Sequence, residues 1–151
     1  MNYTAIPPPT HFESWLAAYF PANRVGQYVN PAADFAGDGI PSLVKYAYAL
    51  SPVTPIAPSA GVQGSLTTVG ENDIFTYTFR RDVLATDLTY EFQSTGDFVT
   101  WSTITTSIGG AAPGGSAYVT ESGADIRVVV VQEMFPTPAK RFVRLRISRT
   151  Q

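Results

Sequence analysis

From Ile74 onward the chain changes sides at every residue. In "IFTYTFR", Phe75, Tyr77 and Phe79 alternate with Thr76 and Thr78, and in "LTYEFQ", Leu88, Tyr90 and Phe92 alternate with Thr89, Glu91 and Gln93. Successive side chains of a strand point to opposite faces, so this period of two predicts strands with one face buried and one in water. "VTWSTITT", "AYVTE", "IRVVVVQ" and "RFVRLRIS" add four candidates and "GSLTTVG" a weaker seventh, separated by turns such as "STGD", "ESGAD" and "FPTPAK". A sheet with one apolar face must cover it, and short strands with frequent turns predict a mostly β fold, an antiparallel β-sandwich of the fibronectin III or immunoglobulin kind. The chain has no Cys, so no disulfide can brace the sheets. "SIGGAAPGGSA", Ser107 to Ala117, reads as a mobile loop between strands.

Ahead of this region the period is helical. Thr10 and Glu13 form a capping box, and Phe12, Trp15, Leu16 and Tyr19 recur at helical spacing until Pro21, which predicts a helix over roughly 11 to 20. Pro41 suits a first helical position, with Leu43, Tyr46, Ala47 and Leu50 as the apolar stripe of a second helix. Neither is long enough to stand alone, so both stripes must pack. The expected organisation is a linker over 1–9, a helix–loop–helix over 10–52, a connector over 53–65 and the sandwich over 66–151. Pro7, Pro8 and Pro9 favour an extended linker arriving from a preceding domain of the same polypeptide. The first ten residues lack the features of a signal peptide, and no apolar run reaches membrane-spanning length. A net charge of −2 gives no general reason to expect nucleic acid or an anionic membrane as partner.

Between the helices, "NPAADFAGDGIPSLVKYAYALSP" has the frame of an EF-hand-type calcium loop. Such loops take side-chain oxygens from positions 1, 3 and 5, a Gly at 6, a backbone carbonyl at 7 and a bidentate carboxylate at 12. Counting from Asp34 puts Asp38 at 5, Gly39 at 6, the Ile40 carbonyl at 7, Ser42 at 9 and Lys45 at 12, with Ala36 at 3. Asp34, Asp38 and Ile40 therefore stand at ligand positions of a degenerate site that we expect to hold no calcium. Affinity follows ligand number and negative charge, and two carboxylate positions are neutral and cationic here. The Lys45 ammonium is expected to take over part of the ion's role by neutralising both aspartates, in a solvent-exposed pair contributing only about 0–1 kcal/mol.

"HFESWLAAYF", "DFAGDGIPSLVKYAYALSP", "FTYTFRRDVLATDLTYEFQSTGDFVTWS" and "KRFVRLRIS", in that order, resemble a C-terminal module recurrent in large secreted or surface proteins and hydrolases of Verrucomicrobia and related bacteria. In that family the loop usually reads like "DxDGDGxxNLxEYALGxxP", akin to dockerin and thrombospondin type 3 calcium loops. The resemblance covers most of residues 11 to 148. It implies a secreted or cell-surface location, a larger protein preceding this chain and an end at or near the natural C-terminus. Asp34, Asp38 and the Ile40 carbonyl match the family's ligand positions, whereas Ala36, Ser42 and Lys45 depart from its aspartate, asparagine and glutamate.

Little else suggests chemistry. His11, the only histidine, sits in a first helical turn where solvent is its simplest neighbour, and there is no nucleophile elbow, phosphate-cradling loop or metal-spaced histidine pair. The chain is therefore read as non-catalytic. Trp101 either fills the inter-sheet core or stacks on a sugar ring with Phe98 beside it, and Tyr118 is a second candidate contact. Arg144 and Arg146 alternate with Val143, Leu145 and Ile147 and should face outward, flanked by Arg141 and Arg149, with Arg80 and Arg81 at another strand end. Such a row fits an acidic or sulfated polysaccharide, or solubilises the face and pairs with Glu91 and Asp87. The expected function is an accessory module that binds or attaches to carbohydrate, the alternative a structural spacer; an independent glycan-active hydrolase stands third.

Overall fold

A computed structural model of the chain describes residues 11–21, 29–57, 59–115, 117–137 and 140–150. The candidate linker over 1–9 and the Thr10 half of the capping box lie outside them. Helix α1, His11–Ala17, is followed by α2, Ser42–Ala47, and then by strands β1 Val62–Val69, β2 Asn72–Asp82, β3 Leu88–Thr95, β4 Ser102–Ile108, β5 Gly114–Gly115, β6 Tyr118–Gly123, β7 Ile126–Pro136 and β8 Phe142–Arg149. They form two antiparallel four-stranded sheets, in the orders β1-β2-β7-β6 and β5-β4-β3-β8. The pairing is shared between the hairpins β1-β2, β3-β4 and β6-β7 and the non-sequential pairs β2-β7 and β3-β8, and between those hairpins the chain crosses from one sheet to the other. The fold is a β-sandwich, as the period of two predicts.

The alternating residues do what their pattern requires. Phe79, Val129 and Val131 of one sheet share a buried cluster with Leu88, Tyr90, Phe92 and Ile104 of the other. Phe12 and Leu16 of α1 and Tyr46 and Ala47 of α2 are buried in the same cluster. Polar contacts fasten the helices: the Tyr90 hydroxyl donates to the Ala47 carbonyl (2.7 Å), the Tyr46 hydroxyl to Asp87 Oδ1 (2.7 Å) and the Phe12 N–H to Asp87 Oδ2 (3.3 Å). Seven- and six-residue helices are stabilised by such docking rather than by their own turns.

Several boundaries differ from expectation. β1 begins at Val62, inside the segment expected as connector. Strand β4 starts only at Ser102, so Val99 and Trp101 belong to the preceding loop. Within the glycine-rich stretch expected to be a loop, Gly114 and Gly115 pair with Thr106 and Thr105 as a minimal edge strand. Arg81, expected with Arg80 among outward charges, is only 1% exposed. Its Nε donates to Glu121 Oε2 at 2.7 Å and its Nη1 to the Gly110 carbonyl at 3.0 Å. Arg127 binds the other oxygen of Glu121 at 2.8 Å, and the Arg81 hydrogen bond leads these contacts in holding Glu121 below the usual carboxylate range.

Candidate functional site

Two places answer to the sequence's candidates. The first is the calcium-like loop. Asp34 accepts the N–H groups of Gly37 (2.8 Å), Asp38 (3.2 Å) and Gly39 (2.7 Å), so both its oxygens are occupied in shaping the turn. Gly37 and Gly39 adopt φ of 70° and 80°, a region open to glycine at little cost. Asp38 Oδ1 accepts the Ile40 N–H at 3.0 Å, and Oδ2 meets Lys45 Nζ at 2.7 Å and the Ile56 N–H at 2.8 Å. Lys45 also donates to the Thr54 carbonyl at 3.0 Å. Ser42, at position 9, turns its hydroxyl to the Asn30 and Pro31 carbonyls instead of into the loop.

This corrects two expectations about Lys45. Its partner is Asp38, while Asp34 is held by backbone amides. Nor is the pair exposed, since the side chains of Lys45 and Asp38 are 1% and 7% accessible. Burial raises the stakes, because an ammonium stripped of water is tolerated only with its partner in place. The Lys45 hydrogen bond, with help from the Ile56 and Ile40 amides, brings Asp38 down to about 2 against the opposing effect of burial. The donor set does not fit calcium: Asp34 and Asp38 are already engaged, position 3 has no oxygen, and a buried cation stands at position 12. Among the described residues, no three or more His, Asp or Glu side chains converge as a ligand set.

The second place is the end of the β5-β4-β3-β8 sheet where β3 turns into β4. The buried Thr95 hydroxyl donates to Asp97 Oδ1 (2.9 Å) and accepts the N–H groups of Asp97 (3.2 Å) and Phe98 (3.1 Å). Asp97 Oδ1 in turn accepts the amides of Val99 (2.9 Å) and Thr100 (2.8 Å). Thr100, Val99 and Thr95 together lower the Asp97 pKa. Wound around these two side chains, the turn holds Phe98 at φ 61°, a conformation that is strained for a bulky residue. Phe98 is 60% exposed, with its ring centroid 3.7 Å from that of Phe142 at a 34° tilt and 6.5 Å from that of Trp101 at 65°.

Trp101 is half-buried, outside the inter-sheet core, with the Arg144 guanidinium 3.9 Å over its ring. Arg144 Nε also donates to Gln93 Oε1 at 2.8 Å. Arg146, one step along the same outer face, pairs with Glu91 at 3.0 Å. Both arginines face outward as their alternation predicts, but each already has a partner. Sequence candidates Phe98, Trp101 and Arg144 thus meet in one patch, to which the structure adds Phe142. Tyr118 lies on the other sheet, exposed beside a cleft of about 360 Å³ lined by Ile104, Ala117, Gln132, Glu133 and Met134. His11 is exposed, as expected of its helical position.

No known protein-family model, curated protein or solved structure matches the chain.

Proposed function

We propose that the chain is a non-catalytic accessory module of a secreted multidomain protein and attaches to carbohydrate through the Phe98, Trp101, Phe142 and Arg144 patch. The observation that carries this reading is Phe98 itself. A turn built from two side chains and four backbone amides holds a large apolar ring outward, in a backbone conformation that costs roughly 1–2 kcal/mol for a residue with a Cβ. Such strain at an exposed aromatic fits a contact residue better than a packing residue. Phe98 and Trp101 are too steeply inclined to make one flat platform, so a sugar ring would lie on Phe98 with its edge toward Trp101. The guanidinium of Arg144 can direct its remaining N–H groups to a sugar hydroxyl or carboxylate. The degenerate loop serves as a brace without metal.

Affinity electrophoresis against neutral, acidic and sulfated polysaccharides, in gels with calcium or a chelator, tests the proposal. Retardation on one polymer is expected, unchanged by chelation and lost in Phe98→Gly. That substitution removes the ring and relieves the left-handed strain, so its thermal midpoint should stay within a few degrees of the parent, about 1 kcal/mol or less either way. Equal retardation of parent and variant would refute the patch. The spacer reading is favoured by one observation, the guanidinium already covering a Trp101 face, and would be left standing by a chain that no polymer retards.

A further inference from the structure

The sandwich has four sheet edges, and they are not alike. β8 carries the exposed Arg144 and Arg146. β6 carries Glu121, drawn inward onto buried Arg81. β5 is two residues long. Charged edges, inward charges and short edges are the usual ways in which a sheet avoids pairing with another chain. β1 has none of them: "VQGSLTTV" contains no charged residue and no proline over eight positions, and Leu66 and Val69 are 59% and 58% exposed.

The register shows which backbone groups this edge offers. β1 and β2 are joined by the two-residue turn Gly70-Glu71, closed by the Val69 and Asn72 pair, and the Arg80 N–H reaches the Gly61 carbonyl at 3.4 Å. In an antiparallel ladder hydrogen-bonded pairs recur at every second residue, so Gly61, Gln63, Ser65, Thr67 and Val69 face β2. Val62, Gly64, Leu66 and Thr68 therefore turn their N–H and C=O groups away from it.

We propose that β1 is a pairing edge whose partner is β1 of a second copy, antiparallel about a twofold axis at Ser65. An antiparallel strand can pair with itself about a twofold axis, and an uncharged one opposes no like charges when it does so. In this register Gly64 faces Leu66 of the second copy, and Val62 faces its Thr68. Leu66 then gains an apolar neighbour where Gly64 has no side chain and the Phe75 ring lies close by. The two four-stranded sheets become one of eight. One strand per copy makes a small interface, so association should depend on concentration rather than be permanent.

Because the chain has no Cys, single introduced thiols report this geometry. Ser65 of each copy would face the other across a non-hydrogen-bonded pair about 4.5 Å apart at Cα, within reach of a disulfide. Two residues at position 63 would lie about 14 Å apart, four residues of strand rise. Sedimentation of the parent from micromolar to millimolar concentration should show a monomer–dimer equilibrium. Under a glutathione redox buffer Ser65→Cys should give covalent dimer at least tenfold faster than Gln63→Cys. Leu66→Pro removes only an outward N–H, and Leu66→Lys adds charge to the edge; either should abolish the dimer while circular dichroism keeps the β signal. A parent monomeric throughout, equal cross-linking at the two positions, or a dimer that survives Leu66→Lys overturns the proposal.

Discussion

Replacing Phe12 by Ala tests whether the helical pair and the sandwich are one cooperative unit. Phe12 is fully buried, with its ring 5.3 Å from that of Tyr46 on α2 and 5.6 Å from that of Trp15 on α1. The Arg149 guanidinium of β8 also lies over its ring, 4.8 Å from the centroid. One side chain therefore joins both helices to the second sheet, and truncation leaves a cavity that none of the three can close alone. Phe-to-Ala changes at such sites cost about 3–5 kcal/mol. In a domain of this size each kcal/mol moves the melting midpoint by about 2–4 °C, so the expected fall is about 6–20 °C. Thermal unfolding followed by near-ultraviolet circular dichroism for the aromatic packing, and far-ultraviolet for the strands, should show both signals moving together. The exposed Ser14→Ala, on the same helix, should change stability by no more than about 0.5 kcal/mol. If the strand signal of Phe12→Ala melts where the parent's does, while the aromatic signal is lost earlier, the helices are an appendage and the reasoning fails.

Lys45→Ala, which removes charge and stem, should destabilise more than Lys45→Met, which keeps the buried stem, and calcium should restore neither; recovery with millimolar calcium in a urea titration would show that the loop still accepts the ion. For acid stability, Asp38 has a folded pKa of about 2, below the roughly 3.9 of an unfolded aspartate, so its contribution is complete above the unfolded value and lost as pH falls toward 2. Lys45→Met should therefore begin acid unfolding at a higher pH than the parent, as read by intrinsic fluorescence, and coincident curves would contradict this. At the alkaline end burial raises Tyr46, Tyr48 and Tyr90, and raises Tyr77 to about 12, above the unfolded value of about 10. The unfolded chain loses these protons first, so the stability they carry is full below pH about 10 and falls as pH rises toward 12. Absorbance at 295 nm should show four of the eight tyrosines ionising only with unfolding; a single titration near pH 10 with the fold intact would contradict this.

Where side-chain contrast is local, the sequence reads directly. The inward series Phe75, Tyr77, Phe79 and Leu88, Tyr90, Phe92 is visible because each strand repeats its own preference. The same alternation also marks two inward charges. Arg81 continues the series of Phe75, Tyr77 and Phe79, and Glu121 that of Val119, so each residue's own strand is enough to turn it toward the interior, where the two meet. Lys45 is harder, because α2 is enclosed on more than its apolar stripe and the ammonium is met by Asp38 and the Thr54 carbonyl from either side of the helix. Trp101 cannot be decided locally at all. Its neighbour Arg144 comes from a strand 43 residues further on, and only the pairing of β3 with β8 brings them together.

The ammonium in the Asp38 loop has one more consequence. A loop organised by a free ion is also a gauge of that ion, tightening and loosening as its concentration changes. Here the organising cation is part of the chain, present once per molecule from synthesis and impossible to wash out. Its supply does not vary with dilution or with the ions in solution, and acid strong enough to discharge Asp38 undoes the arrangement. Where a free ion would make such a loop a switch, the ammonium makes it a rivet.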